Sequence, residues 1–195
     1  MKKMKKIYTV CSLNSSRSQI MQEFLRDKYN STPEVEINSA GLNVQILRED
    51  DKRTLFTKEI AEQSDIILAA DHELFYRIRY ELFKNEKDQI KKVYLMRIPD
   101  VFYTHKNVFL SGPGNSSYEE SMEKIRAGSE FSQLLEEIVK LTPKEASILT
   151  EALYTKELCG VHLNPSLRQN KKYPNELLYK TLEFRFPWIA QLIEK

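Results

Sequence analysis

A chain of 195 residues with 41% hydrophobic content makes one domain, or one domain with an appendage, and can bury a core. Thirty basic against 28 acidic residues leave a net charge of +2, which gives no global argument for nucleic acid or a membrane surface. The two cysteines, Cys11 and Cys159, are too few for a disulfide framework or a structural zinc site, and His72, His105 and His162 have no metal-ligand spacing, so no metal or other cofactor is expected.

Two cysteines also suit a reducing, cytoplasmic setting in which a reactive thiol survives. The lysine-rich start is followed by only four apolar-run residues, Ile7 to Val10, short of the ~7–15 an export signal needs. No stretch approaches the ~20 apolar residues of a membrane span, so stable membrane insertion is not expected.

Along the chain, short apolar runs alternate with helical patterns. Ile7–Val10 reads as a buried strand, and Ser18–Tyr29 as a helix with Ile20, Met21, Phe24 and Leu25 three to four apart. Val35–Ser39 is strand-like and Ala40-Gly41 breaks it; Thr54–Gln63 is helical. Asp65–Ala70 suits a strand covered on both faces, His72–Lys84 returns to helical spacing, and Val93–Ile98 is a fourth strand stopped by Pro99. Ser117-Tyr118-Glu119-Glu120 opens a long helix to about Leu141, and Thr142-Pro143-Lys144-Glu145 is a second capping box opening a helix to about Leu158. Asn164–Tyr173 reads as loop, and Tyr173–Lys195 has helical spacing interrupted at Pro187. The pattern predicts an α/β three-layer sandwich, with a four-stranded parallel sheet flanked by helices. It divides the chain into an α/β domain over residues 1–141 and a helical extension over 142–195.

One segment carries chemistry. In Cys11-Ser12-Leu13-Asn14-Ser15-Ser16-Arg17-Ser18, a cysteine ends a strand and an arginine six residues on begins a helix. Ligand sites of parallel sheets lie at the carboxyl ends of the strands. A turn of this length can curl its N–H groups around an anion, and the helix N-terminus adds unpaired donors and partial positive charge. Arg17 can add a forked grip on phosphate oxygens. The same field favours a thiolate at Cys11, and Ser18 can donate its hydroxyl to it. Asn14 is the loop residue best able to take a left-handed backbone, which a tight anion nest requires. Ser12, Leu13, Asn14, Ser15, Ser16, Arg17 and Ser18 are thus the candidate phosphate-binding residues.

This loop resembles that of the low-molecular-weight protein tyrosine phosphatases, Cys-x5-Arg-Ser near the N-terminus. Asn38-Ser39-Ala40-Gly41, Ser64–Asp71 and Ile98-Pro99-Asp100-Val101-Phe102-Tyr103 resemble further segments of that family, in the same order. The resemblance covers roughly residues 5–140. It implies a phosphatase acting through a phosphocysteine, with phosphorylated protein, above all phosphotyrosine, as substrate. It implies Cys11 as nucleophile, Arg17 as transition-state partner and Asp100 as general acid, with Phe102 and Tyr103 walling the substrate cleft. Leu13 stands where the family usually has Gly, Ser16 where it has a second Cys, and Gln19 where it has Pro.

Asp71 reads as a helix cap or loop-orienting residue. Phe75, Tyr76 and Tyr80 read as core, and Phe184 and Trp188 as anchors of the tail, with a partner contact through the extension as the alternative. Rival functions are a phosphate-binding regulatory module without turnover, a lipid or small-molecule phosphatase, and an arsenate reductase. The last needs two more cysteines, and only Cys159 is present.

Overall fold

The computed structural model describes residues 4–44, 52–84, 86–98, 140–154 and 172–195. In chain order the elements are β1 (Lys5–Cys11), α1 (Arg17–Lys28), β2 (Val35–Gly41), α2 (Lys58–Gln63), β3 (Ile66–Ala69), α3 (His72–Tyr76), a π-helical turn (Arg77–Leu82), α4 (Lys87–Ile90), β4 (Val93–Leu95), α5 (Pro143–Tyr154) and α6 (Lys172–Glu194). Asp100, Phe102, Tyr103, Cys159 and the helix expected from Ser117 lie outside the described residues.

The four strands form one parallel sheet in the order β2-β1-β3-β4. From β1 the chain steps one way to β2, then crosses back over β1 to β3 and on to β4. Right-handed crossovers therefore put α1 on one face and α2 to α4 on the other. The two directions of travel diverge between β1 and β3, and at their carboxyl ends they leave a crevice, the usual ligand position of such a sheet.

The chain clusters into two compact units, one ending at Ile98 and joined by Arg185–Lys195, the other between them. In the first, Ile7, Val10, Ile67, Leu68, Met21 and Leu25 are fully enclosed. The last turns of α6 cover α1's side: Phe186 meets Phe24 edge-on at 5.8 Å and Tyr29 at 6.0 Å, and Ile189 and Ile193 are buried. In the second unit, the expected capping box opens α5. The Thr142 N–H and hydroxyl each donate to Glu145 Oε2 at 2.8 Å, and the Glu145 N–H returns a bond to Thr142 Oγ1 at 3.3 Å. These bonds, the Thr142 N–H first, hold the Glu145 carboxyl below its ordinary range.

Several expectations change. β2 runs through Ala40-Gly41 instead of breaking there, because Gly41 pairs with Cys11 and bridges Leu55. That bridge draws residues 54–56 out of the expected helix, and α2 starts only after Thr57, whose side chain caps it. β4 stops at Leu95 because Arg97 takes a left-handed backbone (φ 52°). The helix from His72 turns π-helical, with Phe83 N–H donating to Ile78 O. This change carries Tyr76 and Tyr80 to the surface, 59% and 42% exposed and stacked at 4.4 Å, while Leu74, Ile78 and Phe83 fill the core instead. α6 passes through Pro187 unbroken. Burial of Ile189 and Ile193, with the ring contacts of Phe186, offsets a proline cost of about 3 kcal/mol. Phe184 is exposed, and Phe186 rather than Phe184 anchors the tail; Trp188 makes an edge contact with Tyr94 at 6.2 Å.

Candidate active site

Side chains alternate along a strand, so Thr9 and Cys11 share the face that α1 covers. Thr9 donates its hydroxyl to Ser18 O at 2.7 Å, and Cys11 Sγ lies 3.0 Å from Ser18 Oγ in the first turn of α1. The Asn14 N–H donates to Cys11 Sγ at 3.2 Å. Ser18 Oγ also sits 2.9 Å from Asn14 Oδ1, which can only accept. Ser18 has one proton. With Cys11 as a thiol, S–H can donate to Ser18 while Ser18 donates to Asn14. With Cys11 as a thiolate, the Ser18 proton can turn to sulfur.

Asn14 has φ 50°, the left-handed backbone expected of it, and Leu13 keeps a negative φ. The Asn14 side chain also donates from Nδ2 to Ser39 O at 3.4 Å, and Ser39 donates to Gln22 Oε1 at 2.8 Å. A buried residue with an unfavourable backbone is thus held on every side.

The orientation of the loop's peptide planes follows from its outer ties. Leu42 N–H donates to Cys11 O at 3.1 Å and Asn43 N–H to Ser12 O at 2.8 Å. Gln19 Nε2 donates to Asn14 O at 2.8 Å. In a trans peptide, the carbonyl of one residue and the N–H of the next point opposite ways. The N–H groups of Ser12, Leu13 and Ser15 are therefore turned away from these ties. Ser16, preceding α1, makes no side-chain cap bond, so its hydroxyl does not occupy the helix N-terminus.

β2 lies flat against the loop only because residue 41 is glycine. A Cβ there would stand 2.6 Å from Asn14 N, 2.8 Å from Leu13 C and 2.8 Å from Ser12 O, all backbone atoms. Asn43 adds a side-chain bond from Nδ2 to Ser12 Oγ at 3.0 Å and accepts one from Arg77 at 3.0 Å.

Arg17 is 4% exposed, and its Nη1 donates to Asp71 Oδ2 at 2.8 Å and to Ile98 O at 2.9 Å. The expected forked grip on an anion therefore shares its guanidinium with a protein carboxylate at the end of β3. Asp71 also caps α3, accepting from Leu74 N–H at 2.9 Å, so it is both cap and orienting residue, as its position suggests.

Hydrogen bonds join Cys11, Asn14 and Ser18, while Arg17, the first residue of α1, directs its Nη1 to Asp71 and the Ile98 carbonyl. Gln19, Gln22, Asn43 and the close packing of Gly41 were not recognisable in it, because each acts through a backbone atom or a residue distant in sequence. A cleft of about 530 Å³ lined by Arg26, Tyr29, Pro33 and Glu36 opens at the opposite end of β2 and holds none of the candidate residues. Among the described residues, no group of His, Cys, Asp and Glu could hold a metal ion, and no helix is long and apolar enough to cross a membrane.

No protein-family model and no curated protein matches the chain. Solved structures do. A YwlE mutant from Bacillus subtilis is 18% identical with a TM-score of 0.42, over 60% of this chain and 87% of that one. The tyrosine phosphatase Wzb from Escherichia coli K30 with phosphate is 24% identical with a TM-score of 0.41, over 55% and 87%. The tyrosine phosphatase AmsI from Erwinia amylovora is 20% identical with a TM-score of 0.41, over 53% and 80%. The chain is also similar to a low-molecular-weight protein tyrosine phosphatase from Bacillus subtilis, 20% identical with a TM-score of 0.39, over 47% and 70%.

Proposed function

We propose that the chain hydrolyses phosphate monoesters through a phosphocysteine intermediate, with protein phosphotyrosine as its substrate class. The observation that carries this is the surroundings of Cys11. A buried sulfur receives the Asn14 N–H and faces the Ser18 hydroxyl, within a loop whose carbonyls are tied outward. Outward carbonyls leave inward amides, the arrangement that stabilises charge on equatorial phosphoryl oxygens.

In the first step Cys11 sulfur attacks phosphorus, a sulfur–phosphorus bond forms and the ester oxygen leaves. Asp100 gives that oxygen its proton, since expelling a bare phenoxide is costly. In the second step water attacks phosphorus, its proton passes to Asp100, and orthophosphate leaves with the thiolate regenerated. Arg17 binds the phosphoryl oxygens while Asp71 orients it. Phe102 and Tyr103 flank an aromatic leaving group. Residues 1–141 form the catalytic part of this scheme, and 142–195 an extension open to a partner. A reducing compartment such as the cytoplasm keeps the thiol competent.

Para-nitrophenyl phosphate is the first substrate to try. Wild type should turn it over, Cys11→Ser should lose at least about a thousandfold in kcat, and Asp100→Ala about a hundredfold or more. Full activity in Cys11→Ser would overturn the proposal. Phosphate binding with no turnover by wild type would favour a regulatory binding module instead.

A further inference from the structure

The two halves of the cradle are held by different means. The carbonyls of its first half are held by main-chain donors: the Leu42 and Asn43 N–H groups bond the Cys11 and Ser12 carbonyls. Its second half has a side-chain tie, Gln19 Nε2 on Asn14 O at 2.8 Å. Asn14 is the residue with the left-handed backbone, so its peptide plane is the one most costly to hold. Gln19 sits in the first turn of α1, partly buried, where its side chain can reach back over the loop.

We infer that Gln19 is a positioning residue for anion binding: its amide clasps the Asn14 carbonyl outward and thereby aims the Ser15 N–H at the bound phosphoryl group. The inference deepens the function proposed above and rests on it. The planar trans peptide between Asn14 and Ser15 transmits the effect. Without the clasp, that plane is free to turn about the Asn14 Cα–C and Ser15 N–Cα bonds, and one inward donor is lost. The donor binds phosphate in ground state and transition state alike, so the loss falls chiefly on KM.

The test uses the full chain, inorganic phosphate as the probe and para-nitrophenyl phosphate as the substrate. Gln19→Leu keeps the size of the side chain and removes its donor. Phosphate affinity should fall about five- to tenfold, with KM rising by a similar factor, as expected for one lost hydrogen bond. The melting temperature measured without phosphate separates this from general destabilisation and should stay close to that of wild type. Gln19→Lys, which restores a donor of similar reach, should recover affinity at high salt, where its added charge is screened. If wild type binds phosphate and Gln19→Leu binds it equally well, the clasp is refuted while the phosphatase proposal stands. If wild type binds no phosphate, both fall.

Discussion

Arg17 and Asp71 show how much one pair of side chains must do. Arg17 is buried, and its Nη1 is shared between Asp71 and the Ile98 carbonyl. A guanidinium has five donors in a fixed plane, so holding one nitrogen sets the direction of all the others. Asp71 also caps α3, and the two roles separate by substitution. Asp71→Asn keeps a good cap and loses the charge. It should weaken phosphate binding about tenfold if Asp71 orients Arg17; tighter binding would mean that Asp71 competes with the anion. Asp71→Ala loses both roles and should cost about 3 kcal/mol in a denaturant melt, the scale of breaking a buried ion pair. At this scale the motif was legible. The strand ending at Cys11, the helix opening at Arg17 and the left-handed Asn14 between them stand as their sequence suggests. Their supports were not, because Asp71 lies 54 residues from Arg17 and Ile98 lies 81.

The strand, loop and helix from Lys5 to Lys28 carry the proposed site, and β2 pairs with this element from the side. Gly41 was read from sequence as a break because glycine usually is one in a strand. Here it permits contact, since no other residue lets β2 approach the loop backbone this closely. Gly41→Ala should push the Ser12–Asn14 backbone away from β2. About 1–3 kcal/mol of stability should go with it, together with a loss of phosphate affinity that Ala40→Gly, one residue earlier, does not reproduce. Thermal melts with and without phosphate measure both. Element types were legible from periodicity, but several boundaries depended on partners. Residues 54–56 joined the Gly41 bridge, Arg97 ended β4 by its backbone, and tertiary burial carried α6 through Pro187. The π-helical turn has no periodicity of its own. Its exposed Tyr76 and Tyr80 keep the spacing that made them look like core.

At the scale of the molecule, the sheet order explains why the thiol is where it is. β1 is central, its neighbours leave in opposite directions, and its carboxyl end opens at the divergence. Four alternating strands and helices made this topology legible, since right-handed crossovers leave few alternatives. The close of the chain was less so: the last turns of α6 pack with α1 in the sheet unit, a contact no local pattern announces. The fold brings an enclosed sulfur, an inward-turned loop and a buried arginine to one end of one sheet, and a covalent phosphoenzyme is the consequence proposed. Acid-quenching the full chain during turnover of para-nitrophenyl phosphate and mapping the adduct by mass spectrometry tests this directly. Phosphate on the peptide bearing Cys11, absent from Cys11→Ser, is the expected result. Steady turnover with no adduct on Cys11, or with phosphate carried by another residue, would contradict it.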